Sequence, residues 1–237
     1  MPHRNTAACG DKGDPAHEVL AGVLRACEGR LHVLLWQRAK PPHEHRWALP
    51  GGRLGADEDV ETSIRRQLAE KVDVHKLSHV EQLSVFSAPD RVPGVRVVAT
   101  AFLGLVPSDV DPEVPADTAW HPLDDPPPTA FDHEAITHAA RARLRAKLSY
   151  TNIGFALAPT EFTISELRRI YSAALGYEVA ATNLQRVLTR RGALRPTGRT
   201  VPAGPAGGRP PALFRFTAPD LEVTDPFAVL RPPAERA

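Results

Sequence analysis

The residue types most able to do chemistry lie between Gly52 and Lys71. Glu58 follows Gly52 after five intervening residues, and Arg66 and Glu70 lie one helical turn apart further along. Glutamates that share one face of a helix can hold magnesium against a diphosphate and help to activate water. Here glutamine and lysine occupy positions 67 and 71, so Glu70 is what remains of such a set. The segment therefore predicts a helix that has lost most of the carboxylates needed to hold magnesium.

This segment resembles the Nudix box, and the Leu49-Pro50-Gly51-Gly52 turn that leads into it makes the resemblance more specific. In active members of the family, three glutamates of the box helix hold the metal. An ordinary amphipathic helix would also give an apolar stripe such as Val60, Ile64 and Leu68, so the stripe supports the helix and not the motif. The matching positions are Gly52, Glu58, Arg66, Leu68, Glu70 and Val74, whereas Gln67, Lys71 and Asp73 replace Glu, Glu and Gly.

The two replaced glutamates differ in their physical effect. Gln67 keeps an oxygen that can accept a weak metal bond, but the Lys71 ammonium repels a divalent cation. At a separation of a few ångströms this repulsion is several kcal/mol even at an effective dielectric constant of about 20. The same ammonium can hold a phosphate. We therefore expect no enzymatic activity, no catalytic residue, no metal site and no cofactor, and instead a nucleotide effector.

Charge is distributed unevenly along the chain, although the net charge is only +1. Residues 1–150 contain 18 Lys and Arg and 21 Asp and Glu, a net charge of −3. Residues 151–217 contain 9 Arg, no Lys and 3 acids, a net charge of +6. A compact arginine-rich segment suits phosphates or nucleic acid better than an acidic partner. We expect the second part to contact double-stranded DNA; a merely soluble basic surface is the alternative.

Composition also bounds the cellular location. Cys9 and Cys27 are too few and too irregularly placed for a disulfide framework or a zinc site. The first residues contain no apolar run typical of a signal peptide, and no apolar run reaches the roughly 18 residues that a membrane span requires. We expect a soluble cytoplasmic protein with no membrane partner.

Four apolar runs predict strands, and the box helix lies between the second and the third of them. These runs are EVLAGVLRA, LHVLLWQR, VEQLSVFSA and VRVVATAFLGLV. After a proline-rich turn at residues 122–128, Asp132 can cap a helix whose inward face contains Ile136, Ala139, Ala140, Leu144 and Leu148. The basic residues Arg141, Arg143, Arg145 and Lys147 are expected on its solvated side. We predict a flexible leader at residues 1–16 and a Nudix-like α/β/α sandwich with a mixed sheet at residues 17–150.

Residues 151–218 predict a winged helix domain, and residues 219–237 a C-terminal tail. Thr163 and Glu166 form a capping box for a helix that ends at Gly176, and Thr182 with Gln185 form a second capping box for the next helix. Two capped helices separated by a short turn indicate a helix-turn-helix. A short strand near Leu194, a loop at residues 196–211 and the alternating strand ALFRF complete the predicted wing.

The second helix of a helix-turn-helix lies in the major groove, where its outward side chains contact base edges and phosphates. Asn, Gln, Arg and Thr are suitable residue types for these contacts. A winged helix that contacts only protein is the alternative, and loss of DNA affinity with rising salt would count against it. The residues predicted to contact DNA are Thr163, Thr182, Asn183, Gln185, Arg186, Thr189 and Arg190, with Arg199 and Arg209 from the wing.

Both halves together resemble the Nudix-related transcriptional regulators of NAD metabolism, often called the NrtR family. The resemblance spans Glu18 to Phe216 and includes APDRVPGVRVVATAFLGLV, AWHPLDDPPPTAFDH, and EFTISELRRIYSAALG followed by ATNLQRVL. It implies a homodimeric repressor of NAD biosynthesis or salvage genes that binds a palindromic operator and senses ADP-ribose or a related nucleotide. The effector contacts that we assign by position are Arg38, Gly51, Gly52, Arg53, Arg66, Gln67, Glu70, Lys71 and Arg91.

An active pyrophosphatase with an accessory winged helix is the main alternative, because some Nudix enzymes recruit carboxylates from outside the box. Glu58, Glu70 and Glu81 are the candidates for such a role. Release of AMP from ADP-ribose with magnesium or manganese distinguishes this enzyme from a regulator, which would bind ADP-ribose without turnover.

Overall fold

A computed structural model of the chain describes residues 15–72, 77–202 and 210–225, with the backbone alone for residues 71 and 72. The first part of the chain forms a seven-stranded mixed sheet. Its main order is β3-β2-β1-β6-β5, and two further strands, β4 and β7, pair with β1 and β2. The strands are β1 (Ala16–Cys27), β2 (Arg30–Gln37), β3 (Trp47–Ala48), β4 (Gly51–Arg53), β5 (His79–Phe86), β6 (Val97–Val106) and β7 (Thr118–Pro122).

The sheet is mixed because β1 pairs parallel to β6 and antiparallel to β2. As the central strand, β1 is buried on both faces, which explains its nearly continuous apolar sequence. Val19 and Val23 face one layer of the core, and Leu20 and Leu24 face the other. The four strands predicted from the sequence are confirmed.

Two helices complete the predicted sandwich. On one side of the sheet, α1 (Val60–Val72) is the box helix and buries Ile64 and Leu68. On the other side, α2 (His133–Leu148) buries the predicted apolar face, of which Ile136 and Leu144 are fully inaccessible. The Nudix α/β/α fold with a mixed sheet is confirmed.

The basic residues of α2 are less solvated than predicted. Lys147 lies 2.7 Å and Arg143 lies 3.2 Å from the carboxylate of Glu81 on β5. Arg145 donates to the carbonyl oxygen of Ala174 in the second domain. These side chains therefore join α2 to its neighbours, and the expectation that they form a solvated surface was wrong.

The second domain is the predicted winged helix. A short 3-10 helix (Ile153–Ala156) precedes β8 (Phe162–Thr163), α3 (Ile164–Leu175), α4 (Ala181–Arg190), β9 (Leu194–Thr200) and β10 (Ala212–Phe216), and the sheet order is β8-β10-β9. The capping box of Thr163 and Glu166 is present, and Gly176 ends α3 with a left-handed φ of 75°. These two local predictions are confirmed.

Two other predictions for this domain were wrong. The second capping box is absent: α4 begins after Ala180, which makes no side-chain cap, so Thr182 lies inside the first turn. The strand near Leu194 continues to Thr200, because it pairs with β10 as far as Ala212. Cross-strand hydrogen bonds therefore hold Pro196 and Gly198 in a strand where local turn propensity predicts a loop.

The two domains share one core. Leu144 and Leu148 of α2 belong to the same buried cluster as Leu167 and Tyr171 of α3. Residues 220–225, which the sequence assigned to a tail, return to the linker between the domains. The buried Asn152 amide donates to the Asp220 carbonyl at 2.8 Å and accepts from the Glu222 amide at 2.7 Å. Within the described ranges, no helix is long and apolar enough to cross a membrane.

Candidate effector groove and DNA-binding surface

The glycine turn before α1 requires a glycine at position 51 for steric reasons. Strand β4 pairs with the start of β1, with Gly51 opposite Leu20 and Arg53 opposite Glu18. Gly51 has a φ of 151°, and a Cβ atom there would collide with the carbonyl oxygen of Val19. A side chain at this position would push β4 off the sheet and displace the loop that leads to α1.

The two acids that survive in the box both bind the same arginine. Arg66 donates from Nε and Nη2 to the two oxygens of Glu58, at 2.9 and 2.5 Å, and from Nη1 to Glu70 at 3.1 Å. Hydrogen bonding by the Arg66 guanidinium lowers the pKa of Glu58 to about 2. Both carboxylates are thus directed at a cation that the chain itself supplies.

Gln67 occupies the buried position on the groove side of α1 and is only 5% exposed. Its amide nitrogen lies 3.4 Å from the carbonyl oxygen of Arg53, and its oxygen has no hydrogen-bond partner among the described residues. Arg53 itself is exposed. Lys71 ends this face of the helix, but its side chain lies outside the described residues. A neutral amide and an arginine-bound acid pair do not fit a magnesium site, which needs several free carboxylate oxygens.

Glu81, the third acid considered for catalysis, lies on the other side of the sheet. It accepts hydrogen bonds from His79 at 3.0 Å and from residues of α2. Burial opposes its ionisation, but the bonds from His79 and Lys147 outweigh that effect and lower the pKa of Glu81 to about 2. Because α1 and α2 cover opposite faces, Glu81 cannot join Glu58 and Glu70 around one metal ion.

A second concave surface, which we call the Phe131 groove, opens beside the loop between β2 and β3. The Arg38 guanidinium lies 4.8 Å from the centre of the Phe131 ring, and the His43 ring meets the same ring edge-on at 4.8 Å. Phe131 and His43 have φ values of 54° and 65°, which non-glycine residues seldom adopt outside functional sites. The groove has a volume of about 470 Å³ and is also lined by Arg46, Asp90, Arg91 and Thr129.

Arg91 closes the bottom of the Phe131 groove rather than presenting its charge to it. Its side chain is 1% exposed and donates twice to Asp132, at 2.7 and 2.9 Å, and once to Glu18 at 2.5 Å. These bonds use the Arg91 guanidinium within the chain and therefore do not favour the predicted effector contact, which remains a prediction. Asp132 is the N-cap residue of α2 as predicted, but its carboxylate accepts from Arg91 and makes no cap hydrogen bond to the helix backbone.

His133 connects α2 to the glycine turn. Its Nδ1 accepts a hydrogen bond of 2.9 Å from the amide of Leu49, which requires a neutral ring. Burial lowers the pKa of His133 from 6.5 to about 3. Neither His133 nor Phe131 was selected from the sequence, although a histidine on the inward face of a predicted helix is a usable signal.

The pKa of His133 leads to a prediction about acid stability. Between pH 6.5 and 3 the unfolded chain binds a proton at this position and the folded chain does not, so its contribution to stability is complete above pH 6.5 and is lost as the pH falls. His133→Asn keeps an acceptor for Leu49 and removes the titration. We expect the wild type to lose up to about 1.4 kcal/mol per pH unit more than this variant. Urea unfolding at pH 7, 6, 5 and 4 tests this, and parallel curves would contradict it.

The exposed face of α4 carries the residues predicted to contact DNA. Leu184 and Leu188 are buried against the domain, which turns the opposite face outward. On that face Arg186 donates from Nη2 to the Asn183 side-chain oxygen at 2.8 Å. Thr182, Asn183, Arg186, Thr189 and Arg190 are exposed and Gln185 is half-buried.

The remaining predicted DNA contacts are distributed differently. Thr163 is 9% exposed, and its hydroxyl is used within the α3 cap, where it donates to Glu166 at 2.9 Å. Arg199 lies on the exposed part of β9 and forms an ion pair with Glu161. Arg209 lies outside the described residues. The geometry therefore brings together the α4 residues, while Thr163 and Arg199 already have partners.

Comparison with known proteins agrees with this two-part arrangement. Residues 16–140 match the NUDIX domain, and residues 154–216 match the NrtR DNA-binding winged helix domain. The chain is 29% identical over 223 residues to the ADPR responsive transcriptional repressor NtrR of Acinetobacter baylyi, covering 91% of this chain and 88% of the relative. It is 33% identical over 107 residues to an ADP-ribose pyrophosphatase of Methanocaldococcus jannaschii, covering 44% of this chain and 62% of that enzyme.

A solved structure matches both domains at once. The crystal structure of Shewanella oneidensis NrtR complexed with a 27mer DNA has 30% sequence identity and a TM-score of 0.73. The match covers 86% of this chain and 94% of that one, so the domain order and the arrangement of the two folds are shared. This chain therefore belongs to the NrtR family, in which a NUDIX domain is joined to a DNA-binding winged helix domain.

Proposed function

We propose that this protein is a homodimeric transcriptional repressor of NAD biosynthesis or salvage genes that senses ADP-ribose or a related nucleotide without cleaving it. The observation that carries the proposal is that Arg66 binds both surviving box carboxylates. The same chain exposes the hydrogen-bonded pair Asn183 and Arg186 on its recognition helix. The DNA-bound and ADPR-responsive relatives support the same interpretation.

The effector is proposed to contact the glycine turn and the Phe131 groove. The turn offers backbone groups and the exposed Arg53 to a diphosphate. In the Phe131 groove, the ring of Phe131 gives a planar apolar contact, and Arg38 and Arg46 supply positive charge beside it. A ligand with an aromatic base and phosphates satisfies both types of surface.

DNA binding is proposed to use α4 from each of two subunits. Their recognition helices would meet successive major-groove faces about 34–36 Å apart on a palindromic operator. An effector changes operator affinity only if it binds the two arrangements of the dimer unequally, and the usual coupling is about 1 to 3 kcal/mol. We propose that the effector releases the operator.

Fluorescence anisotropy tests this function directly. The labelled duplex is a palindrome from upstream of the protein's own gene or of nearby NAD genes, titrated with the protein and then with ADP-ribose, NAD or ATP. We expect specific binding that weakens with salt and about 5- to 150-fold weaker binding with the effector. Affinity equal to that for a scrambled duplex would contradict the proposal.

The absence of hydrolysis is proposed from the box and leads to a separate prediction. With magnesium or manganese, the wild type should release no AMP from ADP-ribose above the rate of a blank, because Gln67 and Lys71 replace metal-binding glutamates. The double variant Gln67→Glu/Lys71→Glu supplies the missing acids and should bind manganese more tightly. Chromatography of the products and manganese titration of both proteins provide the measurements.

An active pyrophosphatase is the second candidate, and the similarity to the archaeal ADP-ribose pyrophosphatase favours it. Sustained AMP release by the wild type would establish this activity, and its loss in Glu70→Gln would assign it to the box. ADP-ribose binding without turnover would favour the regulator. The match to that enzyme covers 44% of this chain, so turnover and operator binding are measured separately.

A further inference from the structure

The outer face of the wing carries two arginines that the proposed function does not use. Arg195 on β9 lies directly opposite Arg215 on β10. The neighbouring pairs in this ladder join Leu194 to Phe216 and Pro196 to Phe214. Leu194, Phe214 and Phe216 pack in the core, so alternation directs Arg195 and Arg215 to the other face of the hairpin.

This pairing of like charges is unfavourable by itself. Like charges directly opposite each other in antiparallel strands destabilise the pair. Both arginines are exposed, and within the described part of the chain neither side chain makes a hydrogen bond or an ion pair. The acid Glu161 binds Arg199 instead. Two adjacent guanidinium groups without a carboxylate partner are suited to an anion from outside the chain.

The two arginines also line a groove between the wing and the first domain. Its volume is about 480 Å³, within the range of small-molecule sites. Pro107, Asp109 and Val110 line it from the first domain, Phe155 from the linker and Phe216 from the wing. Its surface therefore combines apolar and aromatic side chains with two cations at one end. A DNA duplex is too wide to enter such a space, whereas a phosphorylated small molecule fits it.

We propose that this junction groove is a second ligand site, which binds a phosphorylated small molecule of the nucleoside polyphosphate class through Arg195 and Arg215. The phosphates lie between the two guanidinium groups, and the apolar part of the ligand contacts Phe155. Asp109 also lines the groove and disfavours a ligand that carries further anionic groups.

A ligand at this site would act on the relation between the domains. Because its walls come from the first domain, the linker and the wing, an occupied groove stabilises the arrangement that brings them together. The site thereby gives the protein a second input to operator affinity, separate from the Nudix groove. This consequence depends on the proposed repressor function, but ligand binding at the site does not.

Calorimetric titration of the full chain with sodium pyrophosphate and with ADP at low ionic strength tests the site, in the presence of saturating ADP-ribose so that the proposed diphosphate contacts of the Nudix groove are already occupied. Arg215→Ala and Arg195→Ala should each weaken pyrophosphate binding roughly tenfold. Arg65→Ala removes an equally exposed arginine from α1 and is the matched control, which should bind as the wild type does. Pyrophosphate should also raise the melting temperature of the wild type and of Arg65→Ala, but not that of Arg195→Ala/Arg215→Ala.

Each outcome separates this site from the proposed function. ADP-ribose binding should be the same in Arg215→Ala as in the wild type, because the Nudix groove is intact. Undetectable pyrophosphate binding by the wild type, or equal binding by all variants, would overturn the junction site while leaving the repressor function standing. Arg195→Ala or Arg215→Ala could instead bind pyrophosphate as the wild type does and show a salt dependence of DNA binding whose slope is lower by about one. That result would make these arginines contacts to the DNA backbone and overturn the proposal.

Discussion

Replacing Arg91 by alanine should lower the free energy of unfolding by about 3 to 5 kcal/mol. The guanidinium is buried and makes three hydrogen bonds to Asp132 and Glu18. Its removal leaves two carboxylates facing each other in a half-buried place without a counter-charge. Urea denaturation followed by circular dichroism measures the loss, because the m-value shows whether the transition stays cooperative.

Arg96→Ala is the matched control for this prediction. Arg96 belongs to the same loop between β5 and β6, but it is only half-buried and donates to the carbonyl oxygens of Ser87 and Ala88. We expect a loss of about 1 kcal/mol or less. Equal stabilities of Arg91→Ala and Arg96→Ala would show that the buried ion cluster contributes nothing specific.

The same substitution should affect effector binding. Asp132 directly follows Phe131 and precedes His133, so the Arg91 bonds hold the turn that presents the Phe131 ring and supports the Leu49 amide. Loss of these bonds allows the turn to relax from the left-handed conformation of Phe131. A variant that still folds at low temperature should therefore bind ADP-ribose more weakly than Arg96→Ala does.

The long elements were predictable because their apolar runs or helix-end signals extend over many residues. Strands β1 and β6 contain eight or more apolar positions each, and α3 combines a capping box with a terminal glycine. Strands β3, β4 and β7 were not predicted, since segments of two to five residues show no period. They exist because β1 and β2 offer free edges to pair with, which is a tertiary effect.

The site residues also divide into those whose direction the local sequence predicts and those for which it does not. The α4 face was predictable because burial of Leu184 and Leu188 determines which side chains point outward. Arg91 was assigned to the ligand because it lies in a loop beside a phosphate motif. The sequence of such a loop does not show which way the arginine side chain points. Glu18 and Asp132, which bind it, are distant in sequence, and no local pattern joins the three. For the same reason the sequence suggested that the Asp132 carboxylate caps α2, whereas it binds Arg91.

Replacing Arg186 by alanine should weaken operator binding by about 1 to 3 kcal/mol and relax the sequence preference at one base pair. The guanidinium lies on the exposed face of α4, and Asn183 orients it through a bond of 2.8 Å. A fixed guanidinium offers two parallel donors, the geometry that matches the O6 and N7 atoms of guanine. Anisotropy titrations with the operator and with single base-pair variants measure both effects.

Three further variants show whether Arg186 reads a base or a phosphate. Arg190→Ala removes an exposed arginine one turn further along α4, and as a phosphate contact it should weaken all duplexes alike and lower the salt slope by about one. Arg186→Lys keeps the charge but loses the two parallel donors of the guanidinium. Its affinity should therefore match that of Arg186→Ala for the operator and that of the wild type for scrambled DNA. Arg168 lies on α3 and pairs with Glu178 of the turn that follows, so Arg168→Ala should change neither. If Arg186→Ala loses equal affinity for the operator and for scrambled duplexes, Arg186 contacts the DNA backbone. The specificity of the recognition helix would then have to come from Asn183 and Gln185.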